Sequence, residues 1–124
     1  MEFIKAPEIN KEINKIIKKL QFVHVNPRRL ICFRSTGSTS RAIARIWNFP
    51  RVWQLALNLP SYYVIEVISE RFDKLNKPEQ HKVLIHELLH IPRNFSGSLL
   101  PHRTRSQRID HRRVEALYQK LIGN

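Results

Sequence analysis

His86-Glu87-Leu88-Leu89-His90 sets two imidazoles four residues apart, with a carboxylate directly after the first. On a helix, residues four apart differ by about 40° around the axis and one turn along it, so both rings can reach one ion. Glu87 lies about 100° from His86, off the ligand direction and toward a water held by that ion. The combination suits a zinc that keeps one position open, lowers the pKa of its water toward about 7 and polarises a carbonyl. Glu87 is then the general base of peptide-bond hydrolysis. Neutral imidazole is a good zinc ligand, and manganese, cobalt or iron accept the same donors.

A third ligand has to come from downstream. His102 follows Gly97 and Pro101 in a loop that can return across the metal face, and it is the first choice. His111 and Glu115, spaced i and i+4 on a last helix that must pack near the motif, are the alternatives. His24 and His81 lack motif partners, and His81 falls on the other side of its helix from His86. Tyr118 and the arginines after His102 are the candidates for stabilising an oxyanion.

The elements that position these residues are legible in outline. Ile9, Ile13, Ile16, Ile17 and Leu20 repeat at helical spacing, which predicts an amphipathic helix over 8–20. The apolar stretch 29–34 predicts a strand ending in the turn cluster Ser35 to Ser40, where Gly37 can take positive φ. Residues 41–47 and 52–57, separated by Asn48-Phe49-Pro50, read as a hairpin. Tyr62 to Ile68 is the clearest strand. Asn76 can cap a helix that has Pro78 in its first turn and Glu79 at the capping-box position, and that runs to Ile91 before Pro92. On it, Leu84, Ile85, Leu88 and Ile91 face the core, away from the two histidines. A long connection over 93–109 leads to a final helix capped by Asp110, with Val114, Leu117, Tyr118 and Leu121 as its stripe.

The 124 residues fit one compact domain, 1–124. The longest apolar runs fall far short of the ~20 residues of a membrane span, and Met1 to Lys5 has no export-type apolar run, so a cytoplasmic protein without a membrane partner is expected. Cys32 has no second cysteine to pair with and reads as a buried thiol. The net charge of +12, with Arg93, Arg103, Arg105, Arg108, Arg112 and Arg113 late in the chain, suggests weak, sequence-independent nucleic-acid binding beside a peptide or protein substrate. A basic nucleic-acid-associated module, or an inactive fold with a structural metal, is the competing reading. No finger-type Cys/His set or aromatic ribonucleoprotein signature supports the former.

Tyr63 to Ile68, Arg71-Phe72-Asp73, Leu84 to Pro92, Phe95-Ser96-Gly97 and Leu100-Pro101-His102 together resemble the metallopeptidase domain family of prokaryotes and phages. The likeness spans roughly residues 29 to 122 and is sharpest from 62 to 102. It implies an α+β, zincin-like domain: a short, mostly antiparallel sheet against an N-terminal, an active-site and a C-terminal helix. It also implies one zinc per chain and a sheet edge able to hold an extended substrate. The family's downstream histidine matches His102 best, and shorter members keep His111 open. A more distant likeness to SprT-like proteases, which act on DNA-bound proteins, rests on the same motif and the basic charge.

Overall fold

The computed structural model describes residues 1–103 and 108–123. Among them, one four-stranded sheet forms in the order β1 (Glu2–Lys5), β2 (Leu30–Thr36), β4 (Tyr63–Ile68), β3 (Ala44–Trp47). The outer pairings are antiparallel and the central β2–β4 pairing is parallel, so the architecture is α+β with a mostly antiparallel sheet.

Strand periodicity decides which face is covered. Leu30, Cys32, Tyr63, Ile65 and Val67 share one side by register and are buried there. Helix α1 (Pro7–Lys19) lays Ile9, Ile13, Ile16 and Ile17 over them, as its sequence period requires. Asn10 fixes it, donating to the Leu30 carbonyl (2.8 Å) and accepting from the Cys32 N–H (3.0 Å). Helix α4 (Lys77–Leu88) adds Leu84, Ile85 and Leu88, and α5 (His111–Ile122) packs on α4 through Val114 and Tyr118. Each such side chain contributes on the order of 1.5–3 kcal/mol when fully buried. The Cys32 thiol is buried among them, which pushes its pKa up to about 12.

Local signals held at the turns and caps. Gly37 takes φ 78, its N–H donating to Glu70. Asn76 Oδ1 accepts from the Glu79 N–H (2.9 Å), and Asp110 Oδ1 caps α5 on the Arg113 N–H (3.0 Å).

Two expectations need correction. Residues 52–57 are not the second arm of a hairpin: they belong to helix α2 (Arg51–Leu57), and β3 pairs with β4 instead. Their apolar run mimicked a strand, but most of it faces solvent, and Asn58 closes the helix with φ 54 in the left-handed region. The motif helix also stops at Leu88 rather than Ile91. Its end tightens, with His90 N–H on Glu87 O and Ile91 N–H on Leu88 O, both 3.1 Å, as Pro92 ends the donor series. Strand β1 and the short helix α3 (Ser69–Phe72) were not foreseen. β1 is four exposed residues, too short for a readable period. Among the described residues, no helix is long and apolar enough to cross a membrane.

Candidate metal centre

The tightened end of α4 still brings His90 beside His86, their ring centroids 5.2 Å apart. His102 arrives from the following loop, with its ring 5.2 Å from His86 and 4.6 Å from His90. One ring nitrogen from each of the three lies within 4.8 Å of the others, and the Nε2 atoms of His86 and His102 are 3.2 Å apart. Such nitrogens repel when both rings are charged, and the environment disfavours protonation of His86 and His90. Burial first, then His90, His102 and His111, push the His86 pKa down to about 4, and burial lowers that of His90. Neutral imidazoles with converging lone pairs are the donor set that a divalent metal accepts.

Glu87 lies next to this cluster, buried to 9% exposure. Burial pushes its carboxyl up to about 7, with a hydrogen bond from the Ile46 backbone partly offsetting this. Such a group can hold or release a proton near neutral pH.

A family model described as putative phage metallopeptidase matches residues 1–121. The chain belongs to that family. Membership implies a metal, and the three histidines of this family member form a group that can bind one. No curated protein and no solved structure matches the chain.

The other candidate ligands, His111 and Glu115, line a cleft with His86, Glu87 and His102 but are not in the three-histidine group. Glu115 is held by Lys82 Nζ at 2.8 Å and accepts from Gln119, which ties α5 to α4. His111 is outside the three-histidine group, though near enough to disfavour protonation of His86. His81 pairs with Glu12 of α1 at 3.1 Å, on the side of α4 away from His86. Tyr118 is buried under the Lys82 ammonium, 5.0 Å from its ring centroid. Arg103 and Arg108 pair in an isolated bridge beyond His102, and Arg105 lies outside the described residues.

What positions the third histidine was missed by sequence reading. His90 Nδ1 donates to the Leu100 carbonyl at 2.6 Å, while the Leu100 N–H returns to the His90 carbonyl at 2.7 Å. That pairing leaves His90 Nε2 for a metal and fixes the ring plane. Upstream, the buried Tyr63 hydroxyl accepts from Gly97 N–H (2.8 Å) and donates to Ser98 O (2.7 Å). Gln54 Nε2 bridges the Phe49 and Ser96 carbonyls, both at 2.8 Å. Gly97 adopts φ 97, and a Cβ there would run into the Phe49 carbonyl and the Gln54 amide. Gly97 was the one available signal: a glycine in a loop between a motif and a histidine.

Proposed function

We propose that this chain is a zinc-dependent peptidase, zincin-like in design, with His86, His90 and His102 holding the metal and Glu87 acting as general base. The observation that carries the reading is the convergence of three imidazoles beside the buried Glu87 carboxyl. Zinc, when bound, would acidify a water and polarise the scissile carbonyl. Glu87 would take the proton of the attacking water and return it to the leaving nitrogen. The Leu100 carbonyl keeps His90 in the tautomer that turns Nε2 inward.

A peptide has an obvious place to lie. β3 pairs with β4 on one side, and Ala44, Arg45 and Ile46 border a 500 Å³ cleft with His86, Glu87, His90 and His102. An extended segment adds to such an edge through main-chain hydrogen bonds, which presents its carbonyl carbon to the site without demanding a particular side chain. Elemental analysis of protein never exposed to chelator, paired with digestion of an unfolded-protein or peptide library, tests the proposal. About one zinc per chain and cleavage that Glu87→Gln abolishes support it; absence of tightly bound divalent metal, or equal cleavage by both proteins, overturns it.

A further inference from the structure

Helix α2 is built in an unusual way for a soluble domain. Val52, Trp53, Leu55 and Leu57 are 67, 56, 66 and 53% exposed, and Trp47 and Leu59, flanking the helix, are 44% exposed each. Its buried residue is polar: Gln54, whose amide clasps the Phe49 and Ser96 carbonyls. A helix that turns its glutamine inward and its apolar side chains outward is displaying them.

The charge along α2 itself is basic, and the buried Glu66 that accepts from the Trp47 Nε1–H (3.0 Å) is paired with Arg45 (3.5 Å). Between Glu12 and Glu66 the sequence contains no Asp or Glu. Beside α2 lies a 670 Å³ cleft whose lining includes Arg29, Arg51, Asn48, Asn94 and Ser98 and no carboxylate. Arg29 is steadied over the Phe95 ring, 5.4 Å from its centroid.

We propose that, although the lack of a membrane span led to the expectation of no membrane partner, α2 and its flanks dock the protein on an anionic lipid surface. Val52, Trp53, Leu55 and Leu57 enter the boundary between headgroups and acyl chains, and Arg29 and Arg51 meet headgroup phosphates. Seven residues cannot span a bilayer, which takes about 20, but an apolar convex turn edged by arginines suits the interface, where tryptophan is also favoured. Nucleic acid would use the arginines and could stack on Trp53, yet leaves Val52, Leu55 and Leu57 without a role. A second copy of the chain would bring another net +12 against the first. The inference stands apart from the peptidase reading, since it uses none of the metal-site residues.

The chain's two tryptophans, Trp47 and Trp53, are both exposed in this region, so intrinsic fluorescence reports on it directly. Titrating the full chain with vesicles rich in phosphatidylserine should give a blue shift and co-sedimentation, weakened by salt, and phosphatidylcholine vesicles should give neither. Leu55→Asp should reduce vesicle binding roughly tenfold or more, and Arg51→Glu at least about fivefold. Both positions are exposed, and unchanged melting temperatures would show that the fold survives. Trp53→Phe should keep binding while losing most of the shift. The proposal is overturned by no shift on anionic vesicles, by equal binding to neutral ones, or by variants that bind as wild type. A concentration-dependent dimer that Leu55→Asp dissolves would assign the patch to a second copy. A duplex DNA that reproduces the shift and displaces the vesicles would assign it to nucleic acid.

Discussion

The three histidines come from two kinds of structure. His86 and His90 sit on and just after a helix whose other face is buried against the sheet, and Glu87 between them is itself buried. His102 is exposed, at the end of a stretch with no helix or strand of its own, held by Leu100, Tyr63 and Gln54 from elsewhere in the chain. The helical half is positioned by local hydrogen bonds and core packing, the loop half by a few long-range polar contacts. Chemistry is therefore expected to fail through the first half, and metal retention to be tunable through the second.

Glu87→Gln tests the helical half with the largest effect. The amide keeps the size of the side chain and loses its basicity, so turnover should fall by roughly 10²- to 10⁴-fold while metal content is unchanged. Parallel loss of metal would mean that Glu87 is a ligand rather than a base.

The next effect distinguishes the loop's contribution. His102→Ala should lower metal affinity by more than the 10- to 100-fold typical of a supporting residue, and His111→Ala should leave it nearly unchanged. Competition with a chelator of known affinity measures both. The reverse result would transfer the third ligand to the start of α5.

The same division sets what could be read from sequence. His86, Glu87 and His90 were legible because a helix converts spacing into direction, and the Asn76 and Asp110 caps were legible because a cap is a local bond. His102 could be named but not placed, since the loop that carries it is held by contacts between residues far apart in sequence, such as Gln54 and Ser96, 42 positions apart. The α2 segment was misread for the opposite reason. Its run of large apolar residues looks like buried strand, yet burial is what those residues lack, and the deciding residue is the polar Gln54. β1 was invisible because four exposed residues have meaning only once paired with β2.

A smaller effect appears in the metal-free protein as a dependence on pH. The Glu87 carboxyl sits at about 7 in the fold against an ordinary 4.5, so between those values the folded chain holds more protons than the unfolded one. Stability is therefore lost as pH rises through that window, by at most about 3 kcal/mol. His86, at about 4 against 6.5, works the other way: the fold holds fewer protons, and stability is lost as pH falls from 6.5 toward 4. Glu87→Gln removes the first contribution and keeps the second. Metal-free Glu87→Gln should consequently melt higher than wild type at pH 8, with the gain vanishing near pH 4. A variant that melts lower at pH 8 would show that the carboxylate is stabilised in place, which would undercut its role as a base near neutrality.

The smallest expected effect sharpens the comparison most, because it touches no ligand. Tyr63→Phe keeps the ring that packs on Phe95, with centroids 4.9 Å apart, and deletes only the hydroxyl that joins Gly97 N–H to Ser98 O. Gly97 N–H then loses its hydroxyl acceptor in a buried setting, at a cost of about 1–2 kcal/mol. If the loop carries His102 as a stapled unit, that cost should appear in metal affinity as well as in melting temperature, because binding must then also restore the loop's order. The control is the core change Ile13→Val on α1, far in sequence from the loop, which should lower stability by about 0.5–1.5 kcal/mol. Metal affinity measured well below either melting transition should fall several-fold for Tyr63→Phe and remain level for Ile13→Val. Equal affinities in the two variants would mean that Leu100 alone is enough to set the third histidine, and that the Tyr63 hydroxyl serves the fold without serving the site.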